Sequence, residues 1–144
     1  MAQISTPCLF CRIAFDSDDE VVVCSSSHMV VLMDRFPLDD YHVLVSTRLH
    51  TEDFFTLEEK AFIELNLLAR RVALGLRSLS GQSKIGAFWA GKEIGEHAHM
   101  HIIPLRVGLK RLFENLSTHP RPESAIELRR EQAALLRSRL EDLG

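Results

Sequence analysis

Hydrophobic positions along this chain first cluster in short runs and then recur at helical spacing, and the two patterns divide it into strands and helices. Val21 to Ser25 and Met29 to Asp34 are β-branched or aliphatic runs separated by Ser25-Ser26-Ser27-His28, which predicts a hairpin. Phe36-Pro37-Leu38-Asp39-Asp40 predicts a turn, because proline fixes φ and aspartate favours turn geometry. A third strand, Tyr41 to Ser46, follows it. Thr56-Leu57-Glu58-Glu59 has the form of a capping box, with Thr56 as N-cap and Glu59 three residues on. Behind it Phe62, Leu65, Ala69, Val72, Ala73 and Leu76 recur every three or four residues, predicting a long helix from Thr56 to Leu79 that Ser80-Gly81 stops. Lys84 to Ala90 and His97 to Ile103 read as two more strands, joined by residues 91–96, and Pro104 closes the second. From Glu123 to Leu143 runs a charged amphipathic helix with Ile126, Ala133, Leu136 and Leu140 on its apolar side.

Strands and helices in blocks with short turns predict an α+β fold, an antiparallel sheet of about five strands with a long helix and a C-terminal helix, rather than a βαβ repeat. At 144 residues the chain suits a single domain, 1–144, with residues 106–144 as a C-terminal extension. The longest apolar run, Met29 to Met33, is far too short to cross a membrane. The first residues lack the basic and apolar regions of a secretory signal, so a cytoplasmic location is expected. Net charge is −3, from 17 basic and 20 acidic side chains, with neither half carrying a one-signed field; no nucleic-acid or membrane partner is expected. Three cysteines argue against a disulfide framework. Cys24 reads as a small strand hydrophobe, while Cys8 and Cys11 form a C-x-x-C.

The chemistry concentrates in His97-Ala98-His99-Met100-His101-Ile102-Ile103-Pro104. On a strand this alternation puts the three imidazoles on one face and Ala98, Met100 and Ile102 on the other, whereas a helix would scatter the rings. Such a face suits a metal site, a nucleophile with its helpers, or satisfied polar groups in a core. Imidazole titrates near pH 6.5, so a good fraction is neutral at cytosolic pH and able to attack or ligate.

This stretch resembles the H-φ-H-φ-H-φ-φ signature of the histidine triad superfamily of nucleotide hydrolases and transferases. Cys8-Leu9-Phe10-Cys11-Arg12-Ile13 resembles the C-I-F-C-K-I opening of many members, and Pro37 to Val45 resembles their P-x-x-x-G-H-x-L-V element around His42. His50 falls where some members place a second histidine. The likeness covers roughly residues 7–105. It implies that His99 attacks an α-phosphate to form a nucleotidyl-histidine, that His101 donates to phosphate oxygens, and that His42 orients the triad. It further implies a structural zinc on Cys8, Cys11, His50 and His97, and a homodimer with the long helix at its interface. Substrate contacts fall to His101, Lys92, Ile13 and Phe36, with Phe15 and Met33 as further apolar candidates for the base and ribose.

Several positions depart from the family's pattern. The segment 91–97 is closer to the form seen in diadenosine tetraphosphate phosphorylases; Ile85 stands where asparagine is usual, Leu105 replaces the arginine after proline, and Tyr41 replaces the glycine before His42. Polar partners for phosphate are thus missing or displaced, and the alternative expectation is a non-catalytic nucleotide-binding module on the same fold.

Overall fold

The computed structural model describes residues 21–89, 97–118 and 121–143. Five antiparallel strands, β1 (Val22–Ser25), β2 (Met29–Met33), β3 (Val43–Thr47), β4 (Ile85–Phe88) and β5 (His99–Pro104), form one sheet in the order β1-β2-β3-β5-β4. Three helices accompany it: α1 (Glu59–Ser80), α2 (Leu109–Thr118) and α3 (Ile126–Asp142). The architecture is the expected antiparallel α+β layer.

Alternation along the strands sorts residues onto two faces. Val31, Met33, Val43, Val45, Met100 and Ile102 join Leu65, Val72 and Leu76 of α1 and Ala133, Leu136 and Leu140 of α3 in the main core. Each fully buried aliphatic side chain there contributes roughly 1.5–3 kcal/mol. Val30, Leu32 and Leu44 form a smaller cluster on the other face, which is also the histidine face. Helices α1 and α3 therefore brace one side of the sheet, and the histidines occupy the side that these two leave clear.

Two glycines are set by close approach or backbone sign. A Cβ at Gly75 would meet Leu136 Cδ1 at 2.9 Å, so Gly75 is where α3 crosses α1. Gly81 ends α1 with φ 71, the left-handed cap that glycine adopts without strain.

Several expected boundaries shift. The capping box at Thr56 is not formed. Asp53 instead caps a short 3₁₀ turn, Phe54–Thr56, through Phe55 N, and Thr56 Oγ1 donates to the Asp53 carbonyl at 2.8 Å. The long helix consequently begins at Glu59, with Glu58 at its N-cap and no side-chain cap bond. The third strand begins at Val43 because Tyr41 takes φ 60 in the turn before it. Pro104 lies inside β5 rather than beyond it, His97 precedes that strand, and α2 is a helix the sequence pattern did not announce.

Candidate active site

Register assembles the site. β3 pairs with β5 so that Leu44 opposes His101 and Ser46 opposes His99, and Phe88 of β4 opposes His101 from the other side. His42, two residues before Leu44, shares this face at the end of the β2–β3 connection. Asp34 enters there too, as its backbone N–H donates to the His42 carbonyl at 2.9 Å, one step beyond the Met33–Val43 pair. All three triad histidines, His42 and Asp34 are buried.

Backbone partners fix where the imidazole protons sit. Leu38 N–H donates to His42 Nδ1 at 2.9 Å, so the His42 proton is on Nε2. That Nε2–H donates to His101 Nδ1 at 2.9 Å, which places the His101 proton on its own Nε2. His99 Nδ1–H donates to the His97 carbonyl at 2.8 Å, which puts the His99 lone pair on Nε2. His97 Nε2–H points at the Thr47 carbonyl, 2.7 Å away, and its lone pair falls on Nδ1. Neighbouring rings on one strand thus present opposite chemistry: a basic nitrogen at His99 and an N–H donor at His101. Their centroids are 5.0 Å apart.

Packing holds the donor ring in place. Phe88 stacks on His101 with centroids 4.9 Å apart and planes 15° from parallel, and Phe113 of α2 packs edge-on against Phe88 at 5.7 Å. Burial pushes the His42 imidazole down to about 3; the Asp34 carboxylate opposes this, while the charges of His101, Arg121 and His99 reinforce it. Burial also lowers His97, against its bond to Thr47, with His50 and His99 adding to the depression. Burial thereby holds His42 neutral at physiological pH.

The other expected site residues divide into three groups. His50 and His97 come together, their rings edge to face with centroids 5.0 Å apart. Phe36 is 40% exposed at the rim, its N–H bonded to Asp34 Oδ1 at 2.8 Å and Arg35 over its ring. Met33, an apolar candidate for the base, is instead buried in the core beneath the helices, because its position in β2 puts it on the opposite face. Cys8, Cys11, Ile13, Phe15 and Lys92 lie outside the described residues. Sequence reasoning missed Asp34, Phe88 and Arg121. For Asp34 a signal existed: Val30, Leu32 and Asp34 alternate on one face of the hairpin.

Two groupings have metal-ligand chemistry. Asp34, His42 and His101 bring one candidate atom each within 4.8 Å of the others. Both nitrogens of His42 are already engaged there, by Leu38 N–H and by His101, so the geometry fits a hydrogen-bonded relay better than a cation. His50 and His97 also pair two ring nitrogens of metal-ligand chemistry, with the Thr47 bond orienting the His97 ring through Nε2.

A family model for the HIT domain matches residues 16–108. An uncharacterized HIT-like protein of Mycoplasma genitalium is 32% identical over 106 residues, covering 69% of this chain and 74% of its own. Among solved structures, a zinc-bound histidine triad family protein from Mycobacterium smegmatis superposes with a TM-score of 0.73 at 21% identity, over 94% of each chain. The diadenosine triphosphate hydrolase of Plasmodium falciparum superposes with a TM-score of 0.72 at 19% identity, over 87% of this chain and 79% of its own. At these identities the two structural likenesses are likenesses of fold.

Proposed function

The chain belongs to the HIT domain family, and from its histidine face we propose that it is a nucleotidyl hydrolase or transferase acting through a covalent nucleotidyl-histidine. The observation that carries this reading is the order of protons on β5, a lone pair on His99 Nε2 beside an Nε2–H on His101. His99 Nε2 attacks the α-phosphorus of a nucleotide, the P–N bond forming as the bond to the leaving oxygen or nitrogen breaks. His101 Nε2–H donates to a phosphoryl oxygen as charge spreads over it, and His42 keeps that ring in the donor tautomer. Water, or phosphate in a phosphorylase, then attacks the same phosphorus and releases His99 with its lone pair restored. By the resemblance, Phe36, Ile13 and Lys92 are the residues we assign to contact with the nucleotide. The similarity of fold to a diadenosine triphosphate hydrolase agrees with a phosphoanhydride as the bond broken.

A structural zinc on Cys8, Cys11, His50 and His97 belongs to the same proposal. The paired His50 and His97 rings and the zinc-bound structural relative support it. Its chemistry would be that of a tetrahedral clip tying the N-terminal segment to His97, two residues before His99. Ile63 and Leu67, exposed on the outer face of α1, supply an apolar surface for the proposed homodimer. Among the described residues no helix is long and apolar enough to cross a membrane, and we place the enzyme in the cytoplasm.

The test is a product-resolved turnover panel of dinucleoside polyphosphates, adenosine phosphoramidate and nucleotide sugars, with and without inorganic phosphate, for wild type and His99→Asn. The expected outcome is turnover that His99→Asn abolishes without unfolding the chain. Turnover that survives in His99→Asn overturns the covalent route, and nucleotide binding without turnover favours the non-catalytic binding module.

A further inference from the structure

Residues 121–125, between α2 and α3, lie against the start of the β2–β3 connection. Ser124 N–H donates to the Arg35 carbonyl at 3.0 Å, and Arg35 Nε donates to Glu123 Oε1 at 2.7 Å. Arg35 follows Asp34 directly, so this clamp brings the segment beside the Asp34–His42–His101 group. Arg121 comes with it. Its Nη1 is buried and has no hydrogen-bond partner. Arg71 and Arg129 each carry an orphan Nε as well, but Arg71 gives Nη2 to Leu140 O and Arg129 Nη2 lies 3.8 Å from Glu123, while Arg35 meets Glu123 and Arg106 meets Asp39 and Asp40.

A guanidinium is always charged, and leaving one of its donors dry and unpaired is expensive unless an anion completes it. The buried Asp34 carboxylate already accepts Phe36 N–H on one oxygen and faces His42 and His101 with the other. The Arg121 charge is also felt at His42, where it helps to keep that ring neutral.

We propose that Arg121 is a specificity-determining residue that binds the phosphate oxygens of the nucleotide at the histidine face. The inference rests on the nucleotide reading above and extends it, since residue 121 lies outside the segment 16–108 matched by the family model. The planar fork of arginine suits two oxygens of one phosphate and adds a fixed positive charge beside the buried His42. In this arrangement the C-terminal extension supplies a working part of the site as well as covering the sheet.

The experiment is calorimetric titration of AMP, GMP, CMP and UMP, each beside its unphosphorylated nucleoside, into wild type, Arg121→Gln and Arg121→Lys. The best monophosphate should bind wild type more tightly than its nucleoside. Arg121→Gln should lose about 10- to 100-fold of that affinity and keep the nucleoside affinity, with Arg121→Lys between the two. Thermal melts run alongside; should Arg121→Gln fail to fold, the smaller loss in Arg121→Lys decides. Monophosphate affinity unchanged in both variants overturns the proposal, as does a wild type that binds monophosphate no better than nucleoside. Because the readout is equilibrium binding of a product, it can succeed while His99-dependent turnover fails, which keeps this inference separable from the catalytic one.

Discussion

His42 Nε2 lies 2.9 Å from His101 Nδ1, and the proton between them belongs to His42, because Leu38 N–H already occupies the far side of that ring. A backbone amide in the β2–β3 turn thus decides the tautomer of a histidine on β5, two strands away in sequence and adjacent in space. His99 is set independently, by the carbonyl of His97 two residues before it. Two local backbone bonds therefore give neighbouring imidazoles opposite tautomers.

Stability should fall steeply in mild acid, with His42 a principal cause. Its imidazole is pushed down to about 3 by burial, while in the unfolded chain it titrates near 6.5. Between those values the unfolded state gains a proton that the folded state refuses. His42 thus contributes stability that is complete above pH 6.5 and declines by about 1.4 kcal/mol per pH unit below it. Urea unfolding of wild type and His42→Asn at several pH values from 7 to 4 measures this. The variant should be less stable at pH 7 and show a shallower pH slope; parallel slopes would mean that His42 protonates freely in the folded chain.

Phe88→Leu should loosen the His101 ring more than it loosens the fold. The stack at 4.9 Å and the edge contact to Phe113 contribute about 0.5–1.5 kcal/mol each beyond simple burial. A leucine preserves most of the apolar area but offers the imidazole no flat surface. We expect a modest drop in melting temperature and, on whichever donor is turned over, a several-fold fall in kcat with KM nearly unchanged. A KM effect alone would assign Phe88 to substrate binding instead.

The strand framework and the triad face were legible because both follow from period two: once His97 to Ile103 alternates, the shared face is dictated. The placement of His42 opposite that face needed the β3–β5 register, which no local pattern contains and which the family resemblance supplied. Asp34 read only as the last residue of the second strand run; the pairing of β2 with β3 shows it facing His42. Arg121 had no signal at all, since it sits in an irregular segment whose position depends on the Arg35–Glu123 pair, 88 residues apart in sequence. The misread capping box has a local cause. Asp53 reaches the Phe55 amide first, and Thr56 then serves as a donor rather than a cap.

The Tyr41 departure from glycine has a measurable consequence. Tyr41 holds φ 60, a conformation in which a Cβ crowds the following carbonyl, yet its ring packs on the core. Tyr41→Ala loses the ring and keeps the strain, whereas Tyr41→Gly loses the ring and releases it. Tyr41→Gly should therefore be the more stable of the two by about 1 kcal/mol, despite the greater unfolded-state freedom of glycine. Chemical denaturation of the pair decides; an alanine variant at least as stable would show that the turn relaxes away from positive φ.

Zinc content separates the two histidine groups. Under the proposed ligand set, His50→Ala should lose zinc and melt at lower temperature, and strong chelators should do the same to wild type. His99→Asn and Asp34→Asn should retain the metal, because neither residue belongs to that set. Elemental analysis of the purified variants provides the reading. Loss of zinc from Asp34→Asn with retention in His50→Ala would move the metal to the Asp34–His42–His101 group.

The exposed edge of the sheet is tied down by one side chain. The β1–β2 register breaks between Val22 and Cys24, and the irregularity turns two carbonyls toward α3. Arg137 meets both, with Nη2 at 2.6 Å from Val22 O and Nε at 3.0 Å from Val23 O. The fork also binds α3 to the strand that its own apolar residues only partly cover. Arg137→Met keeps the stem and removes both donors, leaving two carbonyls beside the core without their partner. The expected loss is about 1–3 kcal/mol in urea unfolding, with Arg137→Lys recovering part of it through a single donor. Amide exchange should accelerate in β1 while β3 and β5 stay protected, since their ladders do not depend on this contact. A loss below about 0.5 kcal/mol would indicate that water satisfies the bulge and that the helix is held by its remaining contacts, Ala133, Leu136 and Leu140 in the core and Arg71 at the Leu140 carbonyl.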